Sequence, residues 1–345
     1  MRKTYCLLPV ICLLAACDSI RYVGIETYNP SDVTYPKSVR KVLIVNNALP
    51  QPPDTGYEFN FFGQPQDTCR ANADSALFDA CRSLGVAIAG TNFFDDVLLF
   101  HEGTRKDSFF LEDARLTRED VTSLCKETGT DAVISLDRLL FETKKKVTAY
   151  REDYLTGSID VEMKGILRSY LPGRTNPVIT ITMSDSVSFF EEAYSPEMLS
   201  ELLPTTDDAL RISGGYIGGK MHQAFVPHWK NELRWYFTGP GARWKEAAAY
   251  ASGGKWEKAA ERWQYIYDHT QQWSNRAKSA ASLALCYEIA GDFEKALEWA
   301  KVSSDLFGKN KGKGNSHTQK QELYITTLEK RIMNDRKLNL QIRDE

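Results

Sequence analysis

The segment Gly214-Gly215-Tyr216-Ile217-Gly218-Gly219-Lys220 satisfies G-x-x-x-x-G-K, the spacing with which a glycine-rich loop cradles phosphates and a lysine reaches them. Two parts of that chemistry are missing. Met221 stands where Ser or Thr would ligate magnesium, and Asp207 to Ile212 reads as helix where a buried strand should lead in. Gly214 and Gly218, like Gly215 and Gly219, are four apart, so they predict a flat helix face for close packing. Ser123-Leu124-Cys125-Lys126 and Ser38-Val39-Arg40-Lys41 match S-x-x-K without the S-D-N and K-T-G that such a nucleophile needs. G-x-S-x-G and H-E-x-x-H are absent, and the histidines (His101, His222, His228, His269, His317) show no metal-ligand spacing. The pairs Asp95-Asp96, Glu191-Glu192 and Asp207-Asp208 are adjacent, and adjacent residues on a strand point apart. The expectation is a protein with no assigned catalytic residue, metal or cofactor, and more a non-enzymatic protein than an enzyme.

One thiol does stand in a reactive context. Met1-Arg2-Lys3 is basic, Tyr5 to Leu14 is apolar, and Leu14-Ala15-Ala16-Cys17 follows. This is the layout of a cleavable secretory signal. The apolar run is shorter than the about 20 residues that span a bilayer. Leu-Ala-Ala-Cys resembles the bacterial lipobox. That resemblance implies acylation of the Cys17 thiol, as with palmitate, cleavage after residue 16, and a membrane anchor outside the cytoplasm. One acyl chain holds weakly; the two or three implied by the resemblance hold stably.

Removing residues 1–16 leaves 41 basic against 46 acidic residues, a net charge of −5, so nucleic acid is not an expected partner. No later stretch has the roughly 18 consecutive apolar residues of a membrane span. Cys69, Cys81, Cys125 and Cys286 are expected mainly as separate buried thiols, with a Cys69–Cys81 disulfide left open.

Four segments are expected along the chain: a signal peptide, 1–16; a lipidated tether, 17–38, polar and containing Pro30 and Pro36; an α/β domain, 39–238; and a helical repeat domain, 240–345. Val39 to Asn46 reads as a buried strand, and Pro50 to Thr68 as a long loop. Ala73 to Leu84 reads as a helix ended by Gly85. Thr117 with Asp120 caps a helix that stops at Gly129. Strands follow at 131–143, 159–171 and 178–190, and a helix at 207–224. The class is an α+β or α/β sandwich followed by an all-α domain.

All seven tryptophans lie from Trp229 to Trp299, and the tail repeats at an offset of 37. Ala247, Tyr250, Trp256, Ala259 and Trp263 align with Ala284, Tyr287, Phe293, Ala296 and Ala300, and Tyr324 lies 37 beyond Tyr287. The small residue, the tyrosine three on, the aromatic at a turn and the later alanine resemble the tetratricopeptide repeat. That family's period is about 34, its repeats end in proline, and about three are needed to stand alone. The resemblance implies helical hairpins with those residues as core and a partner groove on the inner face, where Trp244, Lys278 and Glu288 would be contacts. The whole layout resembles a family of uncharacterised bacterial envelope lipoproteins with an α/β domain and a tetratricopeptide-like tail.

The expected function is a membrane-anchored, non-enzymatic interaction or scaffolding module of the cell envelope. It would bind an envelope protein or peptide through its helical repeats, with the outer membrane favoured over the inner. The alternative is an envelope glycan- or small-ligand-binding protein, or a hydrolase, with its site in the α/β domain near the Pro50–Thr68 loop. A polar cleft with converging carboxylates or histidines would favour the alternative.

Overall fold

The computed structural model describes residues 20–66, 70–151 and 154–342. An α+β domain with a mixed sheet is followed by an all-helical region of five helices. By contacts the chain divides into two units: one of residues 29–228 with the chain end from Leu338, the other of residues up to Tyr28 with Trp229–Lys337.

The α+β unit is built around β2 (Lys41–Asn46), buried on both faces because Val42, Leu43, Ile44 and Val45 leave no polar alternate positions. β2 leads into helix α1 (Asp74–Ala89), which returns to β5 (Asp96–Leu99), parallel to β2. Helix α2 (Arg118–Thr128) then leads to the 20-residue β6 (Ala132–Arg151) on the other side of β2, also parallel. The Thr117–Asp120 capping box starts α2, and Gly129 at φ 67° ends it. β6 continues antiparallel into β7 (Tyr154–Tyr170) and β8 (Ile179–Ala193). Helices α3 (Pro196–Leu202) and α4 (Thr206–Met221) follow.

Alternation along β2 splits the core. Val42 and Ile44 pack with Leu77, Ala80, Leu84 and Ile88 of α1 and with Leu210 and Ile217 of α4. Leu43 and Val45 pack with Val121, Leu124 and Cys125 of α2. The glycines of the G-x-x-x-x-G-K segment lie on α4. A methyl group added at Gly214 or Gly218 would run into the backbone carbonyl oxygen of Ala76 or Ala80 on α1, whereas Gly219 faces open space. The motif is a close helix–helix contact, as the spacing predicts.

Five boundaries differ from expectation. Within the expected 50–68 loop, β3 (Tyr57–Phe61) and β4 (Gln64–Gln66) form a hairpin whose β3 extends the sheet along the second half of β6. α1 runs through Gly85 because Leu84 and Ile88 are both buried, and packing outweighs a cost of about 1 kcal/mol for a mid-helix glycine. The expected tether, 17–38, is folded where it is described: Ile20–Asn29 is strand β1, and Val33 and Tyr35 are buried in the α+β core. β9 (His228–Phe237) pairs with β1 and belongs to the helical unit, not to the domain before it. The chain end leaves the helical unit too: Gln341 hydrogen-bonds Ser31 and Val33.

In the helical unit, α5 (Ala242–Ser252), α6 (Trp256–His269), α7 (Trp273–Ile289), α8 (Phe293–Lys311) and α9 (Ser316–Gln341) follow one another through short turns. Gly254 and Gly291 take φ of 70° and 81° at corresponding turns. Ala247, Ala259, Trp263, Ala284, Ala296 and Tyr324 are buried; Tyr250, Trp256, Tyr287 and Phe293 are half-buried around them. Among the described residues no helix is long and apolar enough to cross a membrane.

Candidate functional site

Cys17 lies outside the described residues, as does Cys69. Cys81, Cys125 and Cys286 are buried free thiols. Burial pushes Cys81 and Cys286 up to about 12.

Of the three expected groove contacts, Trp244 and Glu288 are buried and Lys278 is half-buried. Trp244 is buried, packed with Tyr236 and Phe237, and its ring atoms lie 2.8 Å from where a Cβ on Gly239 would stand. Lys278 is half-buried with its Nζ 5.8 Å from the Phe237 ring centroid. Glu288, 3% exposed, accepts from Arg234 Nε at 2.9 Å, Arg234 Nη2 at 2.8 Å and the Tyr324 hydroxyl at 2.7 Å. The Phe237 amide donates to Ser282 Oγ at 3.0 Å. The reason is β9. It lies along the face of α7 that carries Lys278, Ser282 and Glu288, and it occupies the groove those residues were expected to offer.

An open groove exists elsewhere on the unit. A cleft of about 470 Å³ is lined by Trp256, Lys258, Ala260, Cys286, Tyr287 and Ile289. A second, of about 540 Å³, is lined by Val23 to Glu26, Tyr28, Trp229, Phe293 and Arg331. Both are bordered by Gly254, Trp256 and Ile289, so they are continuous. Trp229 is 65% exposed with its ring 4.9 Å from Tyr28. Four consecutive residues of β1 line the groove, which places the strand's backbone edge there; among the described residues β1 pairs only with β9.

The α+β unit holds a buried polar network at the end of β2. Asp137 lies at a register shift of the β6–β7 ladder and is fully buried. It accepts from Ser135 Oγ at 2.6 Å, Asn47 Nδ2 at 3.0 Å and Arg168 Nη1 at 2.6 Å. Burial pushes the Asp137 carboxyl up against these donors. Arg168 also pairs with Asp113, whose carboxyl is held below the usual range because that guanidinium outweighs burial. The network ties the loop after β2 to β6 and β7, and all its charges are paired.

β2 and β5 are neighbouring parallel strands whose onward helices, α1 and α2, cover opposite faces. Such a divergence opens a crevice beyond the strands' carboxyl ends. A cleft of about 620 Å³ lies there, lined by Asn46 to Pro50 without Asn47, by Asp74, Ser75, Phe78 and Asp79 of α1, by His101, Gly103 and Arg105 after β5, and by Arg211. Asp79 accepts from Arg82 and from Arg211 Nε, each at 3.0 Å. Arg105 is held by Asp107 and by the carbonyls of Phe109 and Glu112. His101 stacks beside Phe78, centroids 6.5 Å apart. Among the described residues no group of three or more His, Cys, Asp or Glu could hold a metal ion.

Residues 39–237, more than half of the chain, match the family model of a domain of unknown function (DUF8603). Residues 245–330 match a second domain of unknown function (DUF6340). No curated protein matches the chain.

Proposed function

The chain belongs to the DUF8603 family through its first domain, and from that premise we propose that it is a non-enzymatic interaction module of a bacterial envelope, anchored through a lipid on Cys17. The observation that carries this reading is the continuous groove on the helical unit, apolar along Tyr287, Ile289 and Trp256 and mixed where Glu26 and Arg331 line it beside Trp229. Its volume lies in the range that holds ligand side chains. Its rim carries exposed aromatic surface, the composition of interaction anchors.

The occupant is an extended segment of a partner protein. The helices supply an apolar trough for its side chains, and β1, which pairs with β9, lines the groove with Val23 to Glu26 for its main chain. The tetratricopeptide-like repeats serve as scaffold, and their inner face is filled by β9 rather than by a partner.

Two experiments test the two halves. A Cys17→Ser protein, fractionated against the parent, should leave the membrane; normal trimming and sedimentation of that variant would overturn the anchor. A photo-crosslinker at Lys258, on the groove rim, should capture a partner in intact cells that one at Lys220 on α4 does not. Equal capture from both positions would overturn the groove.

A further inference from the structure

The cleft at the carboxyl ends of β2 and β5 takes no part in the reading above. We infer that it is a binding site for a neutral saccharide.

The place comes first. Loops leaving β2 and β5 part to opposite faces of the sheet, and the space between them is where open α/β sheets receive ligands. The cleft there, about 620 Å³, accommodates two or three sugar rings.

The ligand class follows from the lining. Its formal charges cancel: Asp74 and Asp79 against Arg105 and Arg211. A phosphate or nucleotide would meet two carboxylates, and a polyamine two guanidinium groups. Three of those charges are already engaged, Asp79 with Arg211 and Arg105 with Asp107, so the walls are polar with little unpaired charge. Such a wall suits a ligand with many hydroxyls and no charge.

Phe78 then gives the site its shape. Its ring is 38% exposed in a wall that also carries Leu49 and Pro50 beside the polar groups, with the His101 ring nearly parallel beside it at 25°. An aromatic face is electron-rich and attracts the polarised C–H groups on one face of a pyranose. On the same turn of α1, Asp74 accepts hydrogen bonds from sugar hydroxyls, and Ser75 both donates and accepts. The outer nitrogens of Arg211 donate to ring or hydroxyl oxygen. A stacking platform with hydrogen-bonding groups at its edge matches a sugar, which has one apolar face and a polar rim.

The test uses the full chain and three neutral probes: maltotriose, cellotriose and chitotriose, titrated to about 10 mM by calorimetry. At least one should bind. Phe78→Ala and Asp74→Asn should each weaken it by about tenfold or more. Both positions are exposed, and far-ultraviolet circular dichroism checks that the variants fold. No binding of any probe, or binding unaffected by both substitutions, would overturn the inference. Neither result bears on the groove of the helical unit.

Discussion

Arg234 on β9 grips Glu288 on α7 with Nε at 2.9 Å and Nη2 at 2.8 Å, inside the core of the helical unit. The pair fastens a strand into the place where a repeat groove would otherwise lie open. Tyr324 of α9 donates to the same carboxylate, and burial with the Glu288 charge holds that phenol well above its ordinary range. Removing one partner of a buried ion pair costs about 3–5 kcal/mol. Glu288→Ala should lower stability by that amount. Tyr324→Phe, which removes one bond to a charged acceptor, should cost about 1.5–3 kcal/mol. Urea unfolding followed by tryptophan emission reads this unit selectively, because every tryptophan lies in it. Unchanged stability in Glu288→Ala would mean that the side chain serves a partner and not the core.

Neighbouring glycines on α4 should respond oppositely to alanine. Gly218→Ala forces a methyl group into the Ala80 carbonyl and should cost about 1–3 kcal/mol. Gly219→Ala meets nothing within 4 Å and should raise stability by up to about 1 kcal/mol through helix propensity. Thermal melts of the two variants check the contrast.

Acid should loosen the α+β unit. The hydrogen bond from Lys220 holds Asp185 below the usual carboxylate range, and Arg168 does the same for Asp113 against burial. A folded value below the unfolded one means the folded state binds fewer protons. The stabilisation is therefore present above the unfolded carboxylate value and is lost as pH falls through the folded one. Asp185→Asn should flatten the acid limb of a stability–pH curve while costing at neutral pH only a few tenths to about 1 kcal/mol, because Lys220 is half-exposed and screened. A steeper acid limb in the variant would reverse the assignment.

The described thiols should be inert in the folded protein. Burial disfavours the thiolates of Cys81, Cys125 and Cys286, and the thiolate is the nucleophile. Iodoacetamide with peptide mapping should label these three only after denaturation. Labelling of Cys81 in the native protein would show that α1 opens.

Legibility in the sequence followed the strength of local patterns. Helix α2 was readable because Thr117, Asp120 and Gly129 are chemical punctuation. The glycine face of α4 was readable from a spacing of four, and the hairpin core from the 37-residue offset. β1 was readable in principle. Val23, Ile25 and Thr27 alternate with exposed Gly24 and Glu26, but the stretch follows a lipidation signal, where a polar tether is expected. β9 was hidden differently: it lies inside the expected 39–238 domain, its tryptophans belong by composition with the tail, and its partner strand lies some 200 residues earlier in the chain. That one omission moved the candidate site. Without β9 the inner face of α7 reads as a groove; with it, Trp244 and Glu288 are core. The α+β cleft was legible only as a site somewhere near the Pro50–Thr68 loop, since Asp74, His101 and Arg211 come together only through the parallel pairing of β2 with β5 and the packing of α1 against α4.

The groove is tested most directly at Ile289 and Trp229, which line it from different elements. Ile289 is half-buried, so Ile289→Glu puts a charge on the apolar floor; Trp229 is exposed, so Trp229→Ala removes an anchor without touching the core. Immobilised full chain would be challenged with solubilised envelope proteins, with Gly219→Ala as a control outside the groove. The partner crosslinked from Lys258 should be retained by the parent and the control, and its retention should fall by about tenfold or more in both groove variants. Equal retention by all four proteins would contradict a partner site in this groove.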